Sequence, residues 1–129
     1  MKVYITCPVS HTDNRLGILP EIKSVVEEAG MQPFVFQIGG TPDEIFNRDY
    51  NELKNSQIVI AEVSERSHGV GIELGLSYGL GLKRILLIEK GQFVSKLAQG
   101  IPDTFIIEYQ SITDLRPRLM DVLIKISQP

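Results

Sequence analysis

The chain has 129 residues, the size of one ordinary domain, and its 13 basic against 16 acidic residues leave a net charge of −3. That balance excludes the basic field through which proteins neutralise a polynucleotide backbone, so nucleic acid is not an expected partner. The single cysteine, Cys7, excludes an internal disulfide, and no apolar run reaches the length of a secretion signal or a membrane span, so a cytoplasmic protein with no membrane partner is expected.

In chain order, Lys2 to Thr6 reads as a first strand stopped by Pro8, with Cys7 as a half-buried packing residue at its end. Leu19 to Ala29 carries Leu19, Ile22, Val25, Val26 and Ala29 at helical spacing, with Pro20 suited to a first turn and Gly30 to a stop. Pro33 to Gln37 is a second strand. Thr41-Pro42-Asp43-Glu44 opens a helix running to about Asn55, with a cap, a proline at the first helical position and early acidic charge. Gln57 to Val63 is a β-branched apolar run of the kind a buried parallel strand requires. Ser67-His68-Gly69-Val70-Gly71-Ile72-Glu73-Leu74-Gly75 then forms a glycine turn into a helix, on which Gly71, Gly75, Gly79 and Gly81 predict close packing against a sheet. Arg84 to Glu89 and Thr104 to Glu108 complete five strands, with a short helical piece starting near Phe93 between them. The last helix, from about Thr113 to Lys125, draws its apolar stripe from Leu115, Leu119, Val122, Leu123 and Ile126, and tolerates Pro117 near its start. Repeated strand and helix alternation predicts right-handed crossovers and one α/β domain over 1–129: a three-layer flavodoxin-like or Rossmann-like fold around a five-stranded, mainly parallel sheet. In such sheets ligands bind at the carboxyl ends of the strands.

The candidates for chemistry follow from that geometry. Glu73, after Gly69-Val70-Gly71, is expected in the first turn of its helix, where free amides and the helix dipole favour its ionised, nucleophilic form. The same position equally suits a carboxylate that only stabilises the helix start. Asp49 sits on the helix bearing Phe46, Tyr50 and Leu53, and is either a solvated helix residue or the second member of a carboxylate pair, which suits glycosyl chemistry. Ser67 with the amides of Gly69 and Gly71 can cradle an anion such as phosphate, or Ser67 can simply cap the helix. Two histidines, His11 and His68, and one cysteine support no zinc constellation, and no P-loop signature is present.

The run Asp49-Tyr50-Asn51-Glu52-Leu53-Lys54-Asn55-Ser56-Gln57-Ile58-Val59-Ile60-Ala61-Glu62-Val63, followed by Ser67 to Gly75, resembles the nucleoside 2-deoxyribosyltransferase family, and within it the 2'-deoxynucleoside 5'-phosphate N-hydrolases. The likeness is strong over Asp49 to Ile88 and co-linear from Lys2 to Gln110. It implies that Glu73 attacks C1' of a deoxyribose, that Asp49 helps protonate the departing base, and that water opens the resulting glycosyl-enzyme ester. A nucleobase and 2-deoxyribose 5-phosphate would be released. Ser67 takes the place of an aspartate found in the transferases, and a hydroxyl can donate to a 5'-phosphate that a carboxylate would repel. Tyr4 is implied near the sugar. Ser95 resembles a serine that reaches the phosphate of a neighbouring subunit, which implies a homodimer with shared active sites. A small-molecule nucleotide or nucleoside is the implied partner, and no metal or organic cofactor is implied. The loop Thr6-Cys7-Pro8-Val9-Ser10-His11-Thr12-Asp13-Asn14-Arg15 departs from the glycine-rich, arginine-bearing loop of the hydrolases, leaving Ser10 and Arg15 as its candidates for meeting phosphate. The alternatives are a base-exchanging transferase and a nucleotide-binding module without turnover.

Overall fold

A computed structural model describes residues 1–9 and 12–128. Five parallel strands, β1 (Lys2–Thr6), β2 (Gln32–Val35), β3 (Ile58–Glu62), β4 (Lys83–Glu89) and β5 (Thr104–Tyr109), lie in the order β2-β1-β3-β4-β5. Every pair is parallel, so the sheet is wholly rather than mainly so. β2 is an edge strand, which is why Pro33 can sit in it without costing a ladder bond. Strand order reverses between β1 and β3, and this is where an open α/β sheet leaves a crevice.

The two-residue period of the strands sorts their side chains onto two cores. Val3, Ile5, Ile58, Ile60, Ile85, Leu87 and Ile107 pack under α1 (Leu19–Glu28) and α5 (Ile112–Ser127) through Ile22, Val25, Val26, Leu115, Leu119 and Leu123. Tyr4, Val59, Ala61 and Leu86 face α2 (Pro42–Lys54) and α3 (His68–Gly79), meeting Leu53, Val70 and Leu74. Cys7 is fully rather than half buried, because it continues the first of these faces past the strand end.

α2 begins with a capping box in which Thr41 and Glu44 bond each other's backbone amides, yet Leu53 near its far end is its one buried residue. The helix is thus anchored at its C-terminal half, and its N-terminal half projects over the crevice. The glycines of α3 differ from the sequence expectation. Gly71, Gly75 and Gly79 are exposed, and a Cβ at any of them would meet nothing within 4 Å. They lie on the side of α3 away from the sheet because Val70, Glu73, Leu74 and Ser77 occupy the inward stripe.

The short α4 (Lys96–Gln99) starts three residues later than the pattern near Phe93 predicts, because Ser95 caps it by accepting from the Leu97 amide. Pro117 falls in the second turn of α5, where its exposure leaves the unpaired carbonyl one turn earlier to water. Among the described residues, no helix is long and apolar enough to cross a membrane.

Candidate active site

Two cavities meet at the carboxyl edge of the sheet, and Ser67 and Val70 form part of the wall of both. The smaller, about 220 Å³, is lined by Thr6 at the end of β1 and Cys7 after it, Phe36 to Gly39 beyond β2, Ile45 and Asp49 of α2, and Glu73 of α3. The larger, about 390 Å³, does not hold the carboxylate pair; it runs along Arg66, Ser67, His68, Gly71 and Gly75 towards Phe93, Ser95 and Leu97.

Strand alternation points Tyr4 and Thr6 to the same face of β1, directly at α3. The Tyr4 phenol donates to Glu73 Oε2 and the Thr6 hydroxyl donates to Oε1 at 2.9 Å. Glu73 is only 9 % exposed. Burial pushes its carboxyl up to about 7, the Tyr4 and Thr6 donors pull the other way, and the charge of Asp49 adds to the rise. This corrects the expectation from sequence. α3 begins at His68, so Glu73 lies in its second turn, and burial outweighs any help from the helix start. The Tyr4 phenol is pushed up by its own burial and then by Glu73 and Asp49, so it remains protonated and donates to the carboxylate. Being fully buried, it stands behind Glu73, not on the cavity wall.

Asp49 takes its place from the stripe Ile45, Asp49, Leu53, whose four-residue spacing keeps all three on one face of α2. Burial raises its pKa, and the neighbouring Arg48 opposes the rise from 3.5 Å. Asp49 Oδ1 and Arg48 Nε are buried without a hydrogen-bond partner. Arg48 also donates to the carbonyls of Gly39 and Gln37 at 3.1 and 2.5 Å, fastening to α2 the loop that forms one wall of the cavity. The positive φ of Gly39 and Gly40 allows that loop to turn into α2.

Ser67 is the N-cap of α3; its oxygen accepts from the Val70 amide at 3.3 Å, which leaves its proton free for a ligand. Gly71 lines the larger cavity and donates its amide to the Ser67 carbonyl, whereas exposed Gly69 lines neither cavity. Ser95 lines the larger cavity, as Ser67 does. The structure therefore brings Glu73, Asp49 and Ser67 to one cavity, with Tyr4 behind, and Ser67, Gly71 and Ser95 to the next.

Arg15 is not available to a phosphate. Its guanidinium donates to Glu65 and Glu89, both at 2.8 Å, and these two carboxylates overcome its burial to hold it charged. Ser10 lies outside the described residues.

A protein of Thermofilum pendens named as a 2'-deoxynucleoside 5'-phosphate N-hydrolase is 30% identical over 112 residues, a span covering 78% of each chain. The chain belongs to this N-hydrolase family. No protein-family model matches it. Two solved structures share the fold at a TM-score of 0.70: a CMP N-glycosidase of Clostridium botulinum, 21% identical over 92% of this chain and 98% of that one, and a 2-deoxyribosyltransferase of Bacillus psychrosaccharolyticus, 19% identical over 95% and 96%. The N-hydrolase relationship makes the chain an enzyme of the N-glycosidase or deoxyribosyltransferase type. In this N-hydrolase chain the sequence pattern does not single out Thr6, nor the apolar wall of Phe36, Ile38 and Ile45. The signal for Thr6 is its two-residue spacing from Tyr4, and that for Ile45 its four-residue spacing from Asp49; Phe36 and Ile38 come from a loop that carries no period.

Proposed function

We propose that the protein hydrolyses the N-glycosidic bond of a 2'-deoxynucleoside 5'-monophosphate, with Glu73 as nucleophile and Asp49 as general acid. The observation that carries this reading is the presence of both carboxylates on one cavity, with the hydroxyls of Tyr4 and Thr6 on the two oxygens of Glu73. In the first step an oxygen of Glu73 bonds to C1' while the bond from C1' to the base nitrogen breaks. The base leaves with that electron pair and takes the proton of Asp49. Water then attacks C1', gives a proton to Asp49 and frees Glu73 as a carboxylate. Base and 2-deoxyribose 5-phosphate result, with net retention at C1'.

The productive state holds one proton on the pair, on Asp49, and needs Glu73 ionised. Because burial raises both carboxyls and the productive state keeps one proton between them, activity should be bell-shaped in pH, falling in acid where both are protonated and in alkali where neither is. The base would lie against Phe36, Ile38 and Ile45, and the 5'-phosphate would pass Ser67 into the larger cavity, where Arg66 and His68 are nearby. Tyr4 acts through Glu73, and Ser95 would face the phosphate, whereas Gly69 lies outside both cavities and the Val70 and Gly71 amides are given to Ser67.

A homodimer completes the reading. With α4 reduced to one turn, the sheet beside α3 is thinly covered, and Phe93 and Leu97 are 93% and 84% exposed. A second copy seated there would bury these side chains at the edge of the larger cavity.

The test is chromatography of free base released from a panel of deoxynucleosides and their monophosphates, with a second free base added in one arm. Monophosphates should be preferred, and new nucleotide should form more slowly than free sugar phosphate. Release of no base, or faster exchange than hydrolysis, would replace this reading with a binding module or a transferase.

A further inference from the structure

We infer that Thr6 is a positioning residue for catalysis, locking the orientation of the Glu73 carboxylate through a hydrogen bond made by its hydroxyl. The inference rests on the reading of Glu73 as nucleophile and adds a residue to it. Thr6 ends β1 two residues beyond Tyr4, so pleating points both side chains at α3. Each donates to a different oxygen of Glu73, Tyr4 to Oε2 and Thr6 to Oε1 at 2.9 Å. One donor alone would leave the carboxylate free to rotate about its last torsion, which is broad for glutamate. Two donors on adjacent same-face positions of one rigid strand fix its plane.

Thr6 is buried and touches the cavity. Valine keeps its shape without the hydroxyl. A proton held towards a carboxylate stabilises the ionised form, so the hydroxyl bears on the pH at which Glu73 becomes reactive, which packing alone would not do. The titratable groups coupled to Glu73 are Asp49 on α2, Tyr4 on β1 and Cys7 next after it, and none of them is removed when Thr6 is replaced. Among the described groups facing this carboxylate, the Thr6 hydroxyl can therefore be removed without altering formal charge.

The experiment measures kcat and KM against pH for wild type, Thr6→Val, Thr6→Ala, Thr6→Ser and Glu73→Gln, each checked by circular dichroism and thermal melting. Whichever of the valine and alanine variants keeps the wild-type fold should lose roughly tenfold to a hundredfold in kcat with KM nearly unchanged. Its acid limb should also move to higher pH, since a donor that favoured the carboxylate is gone. Thr6→Ser should restore both the rate and the limb. A folded valine or alanine variant with the wild-type limb would overturn the inference, as would a serine variant no better than them. If neither folds, a serine variant lacking wild-type rate and limb overturns it, and one that keeps them supports it. Activity surviving in Glu73→Gln would instead overturn the reading of the nucleophile, a distinct outcome.

Discussion

Two buried glutamates, Glu62 at the end of β3 and Glu73 in α3, stand on the same strand-loop-helix unit and do opposite things. Glu62 is fully buried and accepts from the Ser64 amide at 2.6 Å, the Ser64 hydroxyl at 2.7 Å and the Tyr109 hydroxyl. Ser64 in turn accepts from the Glu89 amide at 2.8 Å, so Glu62 fastens the β3–α3 loop to the ends of β4 and β5. It lines neither cavity. Glu73 has two hydroxyl donors, and the rest of its acceptor capacity opens onto the cavity shared with Asp49. A buried carboxylate enclosed by donors holds a loop; one left partly free towards a cavity can react.

The sharpest way to break that contrast is to neutralise each in turn. Glu73→Gln should lower turnover by about a thousandfold or more, yet stabilise the fold in alkali. Its carboxyl has an ordinary value of 4.5 and is raised to about 7 in the fold, so the native state binds more protons across that window. Stability is therefore lost as pH rises through it, and the glutamine variant should gain up to about 3 kcal/mol above pH 7 and nothing below pH 4.5. Thermal melting against pH measures this. Glu62→Ala should do the reverse, keeping kcat within a few-fold while losing about 3 kcal/mol, because three donors are left unpaired.

The partner carboxylate comes next in size. Asp49→Asn should reduce kcat by about a hundredfold to a thousandfold on natural bases, and by much less on a substrate whose base departs without protonation. Equal loss on both would detach Asp49 from the leaving group. Ser67→Asp should cut kcat/KM for a monophosphate by about tenfold or more while sparing the nucleoside, since it faces a 5'-phosphate with like charge. The smallest effect is Gly75→Ala, which adds a Cβ that meets nothing within 4 Å on an exposed face of α3. It should stabilise the isolated chain by about 0.5 to 1 kcal/mol; a weaker dimer by light scattering in the same variant would show that a second copy approaches there.

The alternation of short β-branched runs with amphipathic helices makes the sheet and its flanking helices legible, whereas the meeting of Asp49, Ser67 and Glu73 at its edge is implied by the family resemblance and not by local spacing. What the sequence conceals is orientation. The glycines of α3 suggest contact with the sheet, but Val70, Glu73, Leu74 and Ser77 take the inward stripe and turn them outward. Glu73 is placed by pattern at a charge-favouring helix start, whereas burial a turn further in raises its pKa. Arg15 reads as a free cation until the fold supplies Glu65 and Glu89, distant in sequence. Thr6 is an ordinary strand residue until Glu73 arrives beside it. Each of these depends on a contact between distant segments, which no local period encodes.

The central claim is that Glu73 becomes bonded to the sugar. Rapid acid quenching during turnover of a deoxynucleoside monophosphate, followed by peptide mass measurement, tests it most directly. The expected result is a mass increase equal to a 2-deoxyribose 5-phosphate residue on the peptide containing Glu73, absent in Glu73→Gln. Turnover with inverted configuration at C1', or an adduct on another residue, would contradict it.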